Sequence, residues 1–193
     1  MALPASLALI GALLAFPALA NEAPDALLRR VSAEVTQHDD VRSGDAAKLR
    51  AVVETKLLPH VDTRRVTQTA LGPNWRRATP EQQEQLVREF TALLVRTYAG
   101  ALASYRDQTI EYLPLRAGAG DAEVTVRSRI RQSGAEAVVV EYDLAKTEAG
   151  WKVYDVRVAG VSLVATYRTS FNEEVRNRGI DGLIATLASK NRT

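Results

Sequence analysis

The feature that most constrains this chain is a change in the spacing of its apolar residues, from steps of three and four to steps of two and back again. In RRATPEQQEQLVREFTALLVRTYAGALASY, Leu86, Phe90, Leu93, Leu94, Thr97, Tyr98, Ala101, Leu102 and Tyr105 recur at helical spacing. The stripe runs over roughly 25 residues, or about 37 Å at 1.5 Å per residue. Its start is marked by Thr79, Pro80 and Gln82, a capping box with proline at the first helical position.

Beyond Tyr105 the period becomes two. In EVTVRSRIR, Val124, Val126, Ser128 and Ile130 alternate with Thr125, Arg127, Arg129 and Arg131; in AVVVEYDLAK, Val138, Val140, Tyr142 and Leu144 form the apolar set. A third strand places Tyr154, Val156 and Val158 on one side, with Val153, Asp155 and Arg157 on the other, and Gly160 ends it. With QTIEYLPL this predicts four antiparallel strands, each with one dry and one wet face. Helical spacing then returns through Leu163, Val164, Tyr167, Phe171 and Val175, stops at Gly179, and resumes in a short helix from Asp181. Ser162 is expected to cap the first of these helices.

Upstream, Pro24 and Asp25 open an amphipathic segment carrying Leu27, Leu28, Val31 and Val35, and HDDVRSGD breaks it. A second segment with Val52, Val53 and Leu57 stops before Pro59, and Asp62 caps a short helix ending at Leu71-Gly72. The expected fold is α+β, with several helices packed on one face of a twisted four-stranded antiparallel sheet.

The first twenty residues, MALPASLALIGALLAFPALA, carry no charged side chain and finish in Ala18-Leu19-Ala20, a small-x-small cleavage pattern. Residues 1–20 are read as a secretory signal peptide and residues 21–193 as a single domain. A retained membrane anchor is the alternative, since twenty apolar residues can span a bilayer; Pro17 and the small-residue ending favour cleavage.

Composition removes several functions. With 25 basic against 23 acidic side chains, dispersed along the chain, the charge does not make a nucleic-acid footprint. The absence of cysteine excludes disulfides, thiol catalysis and thiolate zinc sites. His38, beside Asp39 and Asp40, is read as part of a solvated loop, because three consecutive residues converge poorly on a metal. His60 sits in a turn. Ser162 lacks the second glycine of a nucleophile elbow, and Gly118 to Asp121 lacks the lysine of a phosphate loop. Asp155, beside Trp151 and Tyr154, is the strongest candidate for a general base, although an ordinary hydrogen bond or ion pair suits it better. Exposed Arg64, Arg65, Arg76 and Arg77 suit either anionic head groups and docking partners or a solvated face.

Two long blocks carry a family resemblance. LLPHVDTRRVTQTALGPNWRRATPEQQEQLVREFTALLVRTYAGAL, with its Leu-Gly-x-x-Trp and Ala-Thr-Pro-Glu-Gln elements, and GWKVYDVRVAGVSLVATYRTSFNEEV followed by GIDGLIATL, resemble the MlaC family, also described as toluene-tolerance auxiliary proteins of ABC transport systems. The likeness runs from about Leu28 to Asn191; the uncharged start of the leader is its one visible departure. It implies a periplasmic, non-enzymatic monomer that holds a phospholipid by its acyl tails in an apolar cavity between helices and sheet. It also implies two partners, an outer-membrane lipoprotein complex and an inner-membrane ABC transporter with its periplasmic lipid-binding subunit. No cofactor is implied beyond the bound phospholipid as cargo.

A chain of about fifteen methylenes costs on the order of 12 kcal/mol to expose to water, at roughly 0.8 kcal/mol each, so such a carrier needs a dry interior. Tyrosine suits its lining, with an apolar ring and a hydroxyl for the rim. The residues expected to touch lipid are Trp75, Leu94, Tyr98, Leu102, Tyr105, Val126, Val140, Tyr142, Tyr154, Val156, Leu163 and Tyr167. The same stripes are what any helix-on-sheet core requires. Two other functions therefore stay open, a small-ligand enzyme using Asp155 as base and an adaptor with a filled interior.

Overall fold

The structure is a computed structural model describing residues 22–103, 108–116, 118 and 120–192; the proposed leader lies outside the described residues. Helix α1 (Pro24–Thr36) begins with proline at its first turn and buries Leu27, Leu28, Val31 and Val35, the stripe its spacing predicts. The stretch expected to be a loop contains a short helix, α2 (Asp39–Ser43). His38 caps it through Nδ1, which accepts from the Asp40 N–H, and Gly44 ends it in the left-handed region at φ 70°. Asp45 then caps α3 (Ala46–Val52), accepting from the backbone of Ala47 and Lys48.

Rather than stopping before Pro59, the chain leaves α3 through a π-helical turn, Val53–Leu57, and a 3₁₀ turn, Leu58–His60. Pro59 has no N–H for the regular ladder, and rewinding accommodates that loss. Asp62 accepts from the Arg65 N–H at 2.9 Å and starts α4 (Thr63–Leu71). A 3₁₀ turn, Gly72–Arg77, leads to α5 (Pro80–Ala103). Thr79 and Gln82 there exchange hydrogen bonds of 3.0 and 3.2 Å, each backbone N–H donating to the other's side chain.

The sheet runs β1 (Thr109–Tyr112), β2 (Glu123–Arg131), β3 (Val138–Thr147), β4 (Gly150–Val158) and β5 (Val161–Ser162), antiparallel and in sequence order. It has five strands where the sequence suggested four. Ala159 and Gly160, both at positive φ (49° and 81°), form a two-residue turn of the kind that suits hairpins. The chain therefore folds back along β4 before α6 (Thr166–Arg192) begins. Gly179, with non-helical backbone angles at φ 71° and ψ −177°, divides α6 into two helices, as the stop expected there and the short helix beyond it require.

A second difference concerns β4. Asp143 pairs with Asp155, but the next residue, Leu144, pairs with Val153, so Tyr154 is the extra residue of a bulge. Strict alternation assigns Val153 to the wet face. The bulge returns it to the dry one, where it packs with Val124, Val126 and Leu144 beneath Leu27, Leu28 and Val31 of α1.

The opposite face is a charged ladder. Glu141 bridges Arg127 (2.8 Å) and Arg157 (2.9 Å), Arg157 also holds Asp143, and Arg131 meets Glu111.

Candidate functional site

Three groups of buried side chains fill the interior. One joins α4, the 3₁₀ turn around Trp75, α5 and α6, centred on Leu86, Phe90, Phe171 and Leu187. The second is the layer between α1 and the sheet. The third joins α1, α2, α3 and α5 through Val35, Val41, Leu49, Val52 and Ala99. Where the three meet, the packing is incomplete and leaves a cavity of about 310 Å³, a volume at the lower end of those that hold small molecules.

Every wall comes from a different element. Helix α5 supplies Leu94, Val95, Tyr98, Ala99 and Leu102, at the spacing that keeps one helical face toward one neighbour. The π and 3₁₀ turns supply Val53, Leu57 and Leu58, and Val61 and Val66 lead into and lie on α4. The sheet contributes Val153, Tyr154, Asp155 and Val156, and the approach to α6 closes the space with Leu163 and Val164. Among these side chains only Tyr98, Tyr154 and Asp155 carry polar atoms.

Each of those polar groups is already engaged. The Tyr98 hydroxyl shares a hydrogen bond with Tyr167, and burial followed by that bond pushes its pKa up to about 12. Tyr154 donates to Glu123 at 3.1 Å. The Arg65 guanidinium lies 3.6 Å from the centre of its ring and pairs with the same Glu123 at 2.8 Å. One Asp155 oxygen accepts from the Val156 N–H at 2.8 Å, and the other from the Ser162 hydroxyl at 2.6 Å. Ser162 in turn accepts from the Ala165 N–H at 2.9 Å, so Asp155 secures β5 and the approach to α6. That is a structural use of the residue considered as a general base. The adaptor alternative required a filled interior, and the interior holds a cavity.

Six of the residues expected to touch lipid line this cavity: Leu94, Tyr98, Leu102, Tyr154, Val156 and Leu163. Five lie elsewhere. Trp75 is buried in the α4–α6 cluster, and Tyr167 packs against the same cluster with its ring edge-on to Phe90 at 5.0 Å. Val126 and Tyr142 belong to the layer under α1, and Val140 is buried on the same strand face as Tyr142. Packing between α4, α5 and α6 takes up Trp75 and Tyr167, and the layer beneath α1 takes up Val126 and Tyr142. Tyr105 lies outside the described residues.

Leu57, Leu58, Val61 and Val153 line the cavity but were not among the contacts expected from the sequence. Leu57 continues the helical stripe of Val52 and Val53, its neighbour Leu58 does not, and the mixed turn brings both to one wall. Val153 reaches the wall through the bulge. Among the described residues, no group of three or more His, Asp or Glu side chains is placed to hold a metal ion, and no helix is long and apolar enough to cross a membrane.

Comparison with known proteins places this geometry in context. The family model described as MlaC protein matches residues 25–189. The chain is 25% identical over 177 residues to the intermembrane phospholipid transport system binding protein MlaC of Haemophilus influenzae, covering 88% of this chain and 83% of that one. It is 27% identical over 124 residues to the toluene tolerance protein ttg2D of Pseudomonas putida, covering 64% and 57% respectively. A phospholipid-binding protein from Ralstonia solanacearum, solved in complex with a phospholipid, superposes with a TM-score of 0.77. It is 41% identical, with 87% of this chain and 94% of that one covered.

Proposed function

The chain belongs to the MlaC family, and from that premise we propose that it is a periplasmic phospholipid carrier, exported on residues 1–20 and acting as a monomer without a cofactor. It takes acyl tails into the cavity and moves the lipid between an outer-membrane lipoprotein complex and an inner-membrane ABC transporter with its periplasmic lipid-binding subunit. The observation that carries this reading is a cavity of about 310 Å³ whose walls are almost wholly apolar, in a fold shared with a relative solved around a phospholipid. The tails contact Leu94, Tyr98, Leu102, Tyr154, Val156 and Leu163. Loading needs no chemical step, because transfer of hydrocarbon from bilayer to cavity exchanges one apolar surround for another.

The test is transfer between two vesicle populations. Donor vesicles carry a fluorescent-tailed phospholipid, acceptors carry none, and the protein is added in catalytic amount. The expected result is a transfer rate proportional to protein concentration. A rate equal to that of spontaneous exchange at every protein concentration contradicts the proposal.

A further inference from the structure

Leu58, Val61 and Val95 border the apolar cavity and also a second hollow of about 490 Å³. Across these shared side chains the lining gains charge while staying partly apolar, for the second hollow adds Glu54, Thr63, Arg88 and Thr91 together with Val87 and Ala92. Helix α5 brings Arg88, Thr91 and Val95 to one face, at steps of three and four, while the π-helical turn brings Glu54. Glu54 and Arg88 are exposed. Among the described residues neither forms an ion pair, with the other or with any neighbour. A hydrocarbon-lined space thus adjoins a space that offers one carboxylate and one guanidinium, both without a counter-charge. This is the polarity profile of an amphiphile whose head carries both signs.

We propose that the second hollow seats the head group of a zwitterionic, amine-bearing phospholipid whose tail occupies the first. This rests on the carrier reading above and adds a head-group preference to it. Arg88 donates to the phosphodiester oxygens, a charge-assisted contact suited to a guanidinium, and Glu54 accepts from the ammonium group. A head group with phosphate alone satisfies Arg88 but leaves the Glu54 carboxylate facing a like charge, so the hollow discriminates by repulsion as well as attraction. Leu58, Val61 and Val95 then lie at the junction of tail and head.

The test offers the protein vesicles containing equal amounts of phosphatidylethanolamine and phosphatidylglycerol with identical acyl chains, then reads the ratio of the two lipids bound by mass spectrometry. Wild type is expected to be enriched in phosphatidylethanolamine by about two- to fivefold, the discrimination an exposed charge pair supports. Glu54→Gln brings the ratio to parity and Glu54→Asp retains the preference. Arg88→Gln lowers capture of both lipids by a similar factor, whereas Arg129→Gln, on the outer face of the sheet, changes neither amount nor ratio. Lipid loading with equal capture by wild type, or a ratio unmoved by Glu54→Gln, overturns the head-group assignment and leaves the carrier reading standing. Wild type that captures neither lipid overturns both.

Discussion

Ala99 is buried at 3% exposure in the wall of the cavity, among larger neighbours on α5. Ala99 borders both the cavity and the packed cluster of Val35, Val41, Leu49 and Val52, and the cavity is the less filled of the two, so Ala99→Phe takes space that a tail occupies. Displacing two methylenes costs about 1.6 kcal/mol at roughly 0.8 kcal/mol each, equivalent to about a tenfold loss of affinity. Overpacking adds about 1–3 kcal/mol of destabilisation. The expected outcome is a folded protein that retains about one tenth of the wild-type lipid in a vesicle-loading assay; undiminished loading shows that the tail lies elsewhere. Tyr98 illustrates the other residue-scale rule. Its hydroxyl is paired with Tyr167 on α6, which allows the ring to line an apolar space without leaving a polar atom unsatisfied.

At the scale of elements, the outer face of the sheet is tied together by charge. Glu141 on β3 faces Arg127 on β2 and Arg157 on β4, and its hydrogen bond from Arg157, followed by that from Arg127, lowers its pKa from the usual 4.5. A carboxylate depressed on folding stabilises the fold above its unfolded value, and that contribution is lost as pH falls through the folded value. Thermal melts between pH 6 and pH 3 are therefore expected to show wild type losing more stability below about pH 4.5 than Glu141→Gln. At pH 7 the variant is the less stable by about 1 kcal/mol. Equal slopes in acid would show that the ladder contributes nothing. Elements with a local cause were readable in the sequence: Thr79 with Gln82 marked α5, Asp62 marked α4, and strict alternation marked β2 and β3. The bulge at Tyr154, the turn at Ala159-Gly160 and the rewound helix at Val53–His60 were not. Each depends on how neighbouring elements dock, and single-residue periodicity carries no record of that. The expected contacts that line the cavity come from α5, β4 and the segment before α6; Trp75, Tyr167, Val126 and Tyr142 sit on apolar faces that pack into neighbouring clusters.

For the whole molecule, the central claim is that three well-packed clusters leave one junction open and that hydrocarbon fills it. An apolar space of this kind is unfavourable without a hydrocarbon occupant, since its lining forgoes the contacts a close-packed interior supplies. The carrier account turns that cost into affinity, because a tail restores those contacts. The most direct measurement is of the protein as cells make it: purify it without detergent, extract it with organic solvent, and quantify phospholipid against protein by mass spectrometry. The account predicts about one phospholipid per chain. Protein that comes from cells free of lipid, and that also fails to take up lipid from vesicles, would contradict it.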